Sequence, residues 1–151
     1  MSHPAVTDST CLIGLERIQR LDILPQVFSP VMIPFAVQAE VGITTTWLTV
    51  LTVKNRAVVA ALNTQIDNGE AEAIALALEI GNVFAILDDL TARRVATQLG
   101  LKVIGTIGVL LRAKQQGIIS EIRPLLIALD QADFRVSVAL VHRALEIAGE
   151  L

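Results

Sequence analysis

The stretch from residue 83 to 89 reads Val-Phe-Ala-Ile-Leu-Asp-Asp, and no other segment restricts the fold so narrowly. Five consecutive apolar residues, with no polar residue alternating between them, mark a strand covered on both faces. Strands of that kind belong to parallel sheets packed between helices. The run ends in two adjacent acids, and a helical pattern starts almost at once near Thr91. A second short run, Ala-Val-Thr-Asp over residues 5–8, also closes on an acid. Open parallel sheets place their ligand sites beyond the carboxyl ends of the strands, so both runs deliver carboxylates to the edge where chemistry gathers.

The rest of the chain alternates strand and helix in the same way, which predicts an α/β fold. Strands are expected at Ala5–Asp8, Val31–Ile33, Trp47–Val53, Val83–Leu87 and Lys102–Ile104. Ser9 or Thr10 is the expected cap of the first helix, and further helices are expected over Leu21–Phe28 and Phe35–Gly42. Asn55 should cap a helix reaching Ile66, and after the turn Asp67-Asn68-Gly69 an alanine-rich helix runs from Glu70 to Ile80. Later helices are expected over Thr91–Leu99, from a Thr106 cap to Gln116, over Glu121–Asp130 and over Ser137–Ala148.

The length suits one domain spanning residues 1–151, with neither linker nor repeat. Hydrophobic residues make up 53%, mostly aliphatic and alanine, the composition of helices covering a buried sheet. The uncharged stretch Val41–Val53, rich in threonine, is shorter than the roughly 20 residues of a membrane-spanning helix, and Leu24–Ala39, also uncharged, contains three prolines. Met1–Thr10 has neither the basic start nor the apolar stretch of a secretory leader. The single cysteine, Cys11, excludes an internal disulfide, and a cytoplasmic location is expected. The net charge of −3 is the wrong sign for holding nucleic acid by charge alone. Arg93, Arg94, Lys102, Arg112 and Lys114 are the side chains left to contact phosphates.

Four separated acidic positions stand out: Asp8, Glu40, Glu70 and the pair Asp88-Asp89. Each alone has a bland explanation. Asp8 and one of the pair suit helix N-caps, Glu40 suits a helix boundary, and Glu70 gains from the dipole of a helix's first turn. Glu72 should point away from Glu70 and share a solvated flank with Glu79. Together, however, the four positions lie where parallel-sheet topology could bring them into one pocket. Carboxylates so gathered repel one another unless a cation offsets them. Mg²⁺ or Mn²⁺ takes oxygen ligands and needs few carboxylates, and such ions activate water against phosphate esters.

These residues also resemble a known family. The opening V-T-D-S-T-x-L-I-x-L is similar to the first strand and helix of PIN-domain nucleases. The blocks N-G-E-A-E-A-I-A-L-A-L-E at 68–79 and L-D-D-L-T-A-R-R-V-A at 87–96 resemble a prokaryotic PIN-like branch, as do residues 100–117 and the terminal A-G-E. The resemblance implies a three-layer fold with a parallel sheet of about five strands. It further implies a Mg²⁺- or Mn²⁺-dependent ribonuclease, of the kind that includes toxins held by a small antitoxin. The family's catalytic positions fall on Asp8, Glu40, Glu70 and Asp88, and the metal would be held by Asp8, Glu70 and Asp88 or Asp89. Ser9, Thr10 and Arg93 are the candidate substrate contacts. RNA, an antitoxin and a second copy of the chain are the expected partners, and no membrane is expected. The sequence departs from the family where the fourth strand ends: Leu87-Asp88-Asp89-Leu90-Thr91 replaces a hydroxyl residue, one intervening residue and Asp, leaving open which acid meets metal.

Other chemistries find less support. His3 and His142 offer no serine-type triad, and Cys11 suits a small buried hydrophobe. Gly105-Thr106-Ile107-Gly108 lacks the Lys-Ser/Thr of a phosphate loop. A PIN-like domain kept as a silent nucleic-acid-binding or protein-interaction module is the second reading. A phospho-accepting receiver domain is a third, although it expects its acidic pair early in the chain and this chain has the pair late.

Overall fold

In a computed structural model that describes residues 2–151, the chain forms five parallel strands and nine helices among the described residues. The strands are β1 (His3–Thr7), β2 (Phe28–Pro34), β3 (Leu48–Leu51), β4 (Phe84–Ile86) and β5 (Lys102–Ile104). The helices are α1 (Ser9–Arg17), α2 (Ile23–Val27), α3 (Phe35–Val41), α4 (Arg56–Leu62), α5 (Asn68–Ile80), α6 (Leu90–Gln98), α7 (Thr106–Gln115), α8 (Arg123–Gln131) and α9 (Val138–Ala148). The sheet runs in the order β3-β2-β1-β4-β5. The α/β class, the parallel sheet and the five strands agree with the sequence-based expectation.

Alternation along β1 sorts the core into two halves. Ala5 faces one side with Val31, Ile33 and Ile86, covered by Leu12, Leu15, Val109, Leu110 and Leu129. Val6 faces the other with Met32, Ala85 and Leu87, covered by Ala71, Ile74, Val95 and Ala96. The small residues of α5 let that helix lie close against the sheet, and Ala71, Ala73 and Ala77 are fully buried. Both faces being covered explains why β4 reads as an unbroken apolar run.

Element boundaries differ from expectation in instructive ways. Phe28 is not the end of a helix but the first residue of β2, which extends through Pro30. The strand expected over 47–53 shortens to Leu48–Leu51, and α4 stops at Leu62 rather than Ile66. Asp8 lies outside β1, in extended conformation at the N-cap of α1, so it and not Ser9 or Thr10 caps that helix.

The order reverses between β1 and β4. The chain moves outward from β1 to β2 and β3, then returns to place β4 on the other side of β1. At this switch point the two following helices diverge to opposite sides and open a crevice at the strands' carboxyl ends. Thr7 pairs with Ile86 in the register of β1 and β4. The next residues, Asp8 and the Leu87-Asp88-Asp89 segment, therefore emerge side by side.

Candidate active site at the sheet edge

Asp8 is the buried centre of this edge, 2% exposed. Its two carboxylate oxygens have different partners: Oδ1 accepts from Cys11 N at 3.2 Å, and Oδ2 accepts from Asp88 N at 3.3 Å. One oxygen thus caps α1 while the other ties β1's exit to β4's. Burial, and next the charge of Asp88, push the Asp8 carboxyl up from 3.8 to about 8, against the lowering effect of the two N–H groups. A carboxyl held that high without a counter-charge is a group whose surroundings favour either a proton or a cation.

Asp88 is half-buried and fully engaged on one flank. Its Oδ1 accepts from Thr106 N at 2.9 Å, and its Oδ2 from Thr106 Oγ1 at 2.6 Å. The expected Thr106 cap is thereby corrected. Gly105 occupies the N-cap position of α7 with no capping side chain, and Asp88 satisfies the helix's first backbone N–H and the Thr106 hydroxyl from another segment. Asp89 caps α6 through Ala92 N at 3.0 Å and is exposed. The pair divides its labour: Asp89 closes its own helix, while Asp88 reaches Thr106 with its carboxylate and holds Asp8 through its backbone N–H.

Arg93 lies one turn into α6, where its Nη1 donates to Leu87 O at 2.8 Å. A methyl at Gly105 would meet Arg93 Nη1 at 2.8 Å and Asp88 Oδ1 at 3.1 Å. The absence of that methyl is what lets a guanidinium and a carboxylate flank the start of α7. Arg94, one residue on, is exposed.

A second acidic group surrounds the start of α5. That helix begins at Asn68, two residues earlier than expected, with Asp67 as its N-cap accepting from Glu70 N at 2.8 Å. Burial, then the charges of Asp67 and Asp89, push the Glu70 carboxyl up from 4.5 to about 7. Asp8 also feels the charge of Glu70, though less than that of Asp88. Glu40 is exposed on α3 and accepts from Ser9 Oγ at 2.8 Å through Oε2. Its Oε1 would lie 2.9 Å from a methyl at Gly69, with Asp67 Oδ1 at 3.7 Å. Ser9 is thus a bridge between α1 and Glu40, and Thr10 lines an adjoining cleft with Asp88 and Arg93.

Glu72 corrects its expectation. Instead of a solvated flank it is buried at 6% exposure, with Oε1 accepting from Ala36 N at 3.1 Å and Oε2 pairing with Arg56 at 3.0 Å. Glu79 accepts from the backbone N–H groups of Lys54 and Asn55. Glu72 ties the first turns of α3 and α4 to α5 out of water, whereas Glu79 fastens the residues before α4 from an exposed position. Cys11 is buried with its thiol pushed well above the ordinary range by burial and the Asp88 charge, and His142 is exposed. Asp67 and Thr106 are the two site residues the sequence reading missed. Asp67 looked like turn chemistry and Thr106 like a self-capping threonine.

The donor set is oxygen only, carboxylates and hydroxyls, which is the chemistry of a hard divalent cation. The high-lying carboxyls of Asp8 and Glu70 fit such an ion, since each is unfavourable as a bare anion. As placed, no three His, Cys, Asp or Glu side chains among the described residues are gathered tightly enough to hold one ion. Asp8 and Asp88 are linked directly, whereas Glu70, Asp89 and Glu40 stand around them. No helix is long and apolar enough to cross a membrane among the described residues.

The sequence model of one protein family, described as a PIN domain, matches residues 4–150. No curated protein matches the chain.

Proposed function

The chain belongs to the PIN-domain family, and from that premise we propose that it is a Mg²⁺- or Mn²⁺-dependent ribonuclease cutting RNA phosphodiesters with water. PIN domains are generally nucleases and typically use divalent metals. The observation that carries the reading is the joining of Asp8 and Asp88 at the switch point, with both the Asp8 and Glu70 carboxyls held far above their ordinary range.

Asp8, Glu70 and Asp88 would hold the ion, with Asp89 and Glu40 as additional acids at its margin. A bound divalent cation supplies the field that activates water and offsets charge building on the phosphate. The chain's own residues do the positioning. Thr106 locks both oxygens of Asp88 in orientation. Cys11 N and Asp88 N fix Asp8 so that it cannot rotate away from the edge. Ser9 holds Glu40 toward the same opening. Arg93 keeps one N–H on Leu87 O and turns its remaining donors to the scissile phosphate, a planar fork suited to two phosphate oxygens. Thr10 borders the same cleft and contacts the substrate beside Arg93.

The test is cleavage of a mixed RNA pool by purified protein with Mg²⁺, Mn²⁺ or EDTA, beside Asp88→Asn and Asp8→Asn. Cleavage that requires metal and both carboxylates is expected; metal-dependent cleavage that survives both substitutions would refute the assignment. A second reading, a PIN fold retained as a silent binding module, is favoured by the apolar surface late in the chain, where Val138 is 87% exposed and Ile147 54%. A small antitoxin or a second copy of the chain would cover that surface. RNA bound but never cut with either metal would select it.

A further inference from the structure

The acidic edge opens on one side into a cleft of about 890 Å³. Asp88, Thr10, Arg93 and Gly105 form its inner end, and the segment leading into α9 forms its outer wall. Arg17 from α1, Arg135 before α9 and Arg143 on α9 line it together with Arg93. Four of the chain's 12 Lys/Arg therefore face one cleft in a protein of net charge −3. The cleft's acids are Asp88 at the inner end and Asp133.

Each of these arginines is available to a phosphate. Arg17, Arg135 and Arg143 are all exposed. Arg17 donates through Nη1 to Ala132 O at 3.2 Å, which aims its guanidinium along the wall. Arg143 pairs with Glu146 at 2.9 Å in an exposed ion pair, a contact worth about 0–1 kcal/mol and readily exchanged for a phosphate. Between the cations the surface is apolar. Leu90 is 81% exposed, and Ile104, Leu111 and Phe134 line the same cleft. Phe134 is seated firmly, because a methyl at Gly14 would lie 2.7 Å from its ring and the bare glycine gives it room.

The opposite side of the edge is unlike this one. Around the start of α5 stand Glu40, Asp67 and Glu70, a field that repels a phosphate chain. Cations with apolar surface between them suit a strand whose phosphates and base faces are both accessible. A duplex hides its base faces and gains nothing from the apolar wall.

Resting on the nuclease reading, we propose that this cleft holds the backbone of single-stranded RNA leaving the carboxylates toward α9, with Arg17, Arg135 and Arg143 contacting its phosphates. The strand runs away from the α5 side, so substrate contacts are concentrated on one side of the scissile bond.

The experiment is titration of a fluorescent single-stranded RNA in EDTA across a salt series, read by anisotropy. It compares wild type with Arg135→Gln/Arg143→Gln and with the charge-matched control Arg20→Gln/Lys54→Gln, whose side chains lie outside the cleft. The cleft variant should bind at least roughly tenfold more weakly, with the log–log salt slope reduced by about 1.4, near 0.7 for each lost phosphate contact. The control should shift affinity by less than about threefold, the effect of diffuse charge alone. Equal losses in both variants, or none in either, would overturn the proposal; no loss would reassign the cleft to a protein partner. Duplex RNA bound as tightly as the single strand would also overturn it. Because binding is read without metal, arginine-dependent binding by a protein that never cleaves leaves this inference standing and removes the nuclease reading. Cleavage with arginine-independent binding does the reverse.

Discussion

Replacing Asp8 by Asn should make the cation-free protein more stable above neutral pH and less stable in acid. The side chain is 2% exposed, and burial, then the Asp88 charge, raise its carboxyl from 3.8 to about 8. Between those two values the folded protein binds a proton that the unfolded chain has released, so stability falls as pH rises through the window. The gap of 4.2 between 3.8 and about 8 corresponds to a ceiling near 6 kcal/mol at about 1.4 kcal/mol per unit. Relaxation and water entry reduce burial costs of this kind, leaving about 2–4 kcal/mol as the working magnitude. Asn keeps one acceptor oxygen for Cys11 N or Asp88 N and loses the other, a cost of about 1–2 kcal/mol that does not vary with pH. The two stability curves should therefore cross. Urea denaturation of both proteins in EDTA at about pH 4, 6 and 8 measures the difference, and the raised Glu70 carboxyl, common to both and only the smallest of the charges acting on Asp8, largely cancels. A difference that stays flat with pH, or an Asn variant that falls further behind at the alkaline end, would refute the reasoning. Added Mn²⁺ should restore stability to the wild type alone, because only a state that binds the ion is stabilised by it.

Two further outcomes follow from named contacts. Thr106→Val keeps the shape and the N–H to Asp88 but removes the hydroxyl donated to its Oδ2 at 2.6 Å; Mn²⁺ affinity, read by metal titration of cleavage, should fall about 10–100-fold, and an unchanged titration would show that Thr106 does not position Asp88. Glu150→Ala removes a side chain, 8% exposed, that accepts from Lys114 Nζ, Ile122 N and Arg123 N, and should cost about 3 kcal/mol at neutral pH in urea denaturation. Burial pushes the Glu150 carboxyl up, but the Lys114 bond and the two N–H groups outweigh it and hold it near 2 rather than 4.5, so the variant's deficit should shrink as pH falls from about 4.5 toward 2; a deficit independent of pH would contradict it.

The sheet was readable because burial on both faces leaves a signal no surface element produces: an uninterrupted apolar run with acids at its end. Burial of α5 was readable in part, since its alanines announced a close approach to the sheet. The same helix shows where sequence reading stops. Helical spacing put Glu72 on a face apart from Glu70, and that separation holds. Spacing could not say that Arg56 and the amide of Ala36 would arrive to make that other face an interior one. Contacts 36 and 16 residues distant leave no trace in the local pattern. Boundaries failed for a related reason. Phe28 carries apolar character that suits a helix end as well as a strand start, and only its burial among sheet residues decides between them.

From sequence, each carboxylate reads as either a helix cap or a ligand, and the structure removes the opposition. Asp8 caps α1, Asp67 caps α5, Asp89 caps α6, and Asp88 meets the first N–H of α7. Four helices thus start at one sheet edge, each with an acid at its positive end, where a negative charge is stabilised by about 0.3–1 kcal/mol. That gain is small beside the burial and repulsion that lift Asp8 to about 8 and Glu70 to about 7. Capping explains why each acid is tolerated alone; it does not explain why Asp8 is buried against Asp88 when an exposed cap would serve α1 as well. A carboxylate has two oxygens and a cap uses one. Asp8 spends the second on the amide of Asp88, which draws the two acids together against their own repulsion. That is a local loss of stability recoverable only when positive charge enters the crevice. The unfavourable pairing, more than the number of acids, is therefore what distinguishes this edge from a set of capped helices.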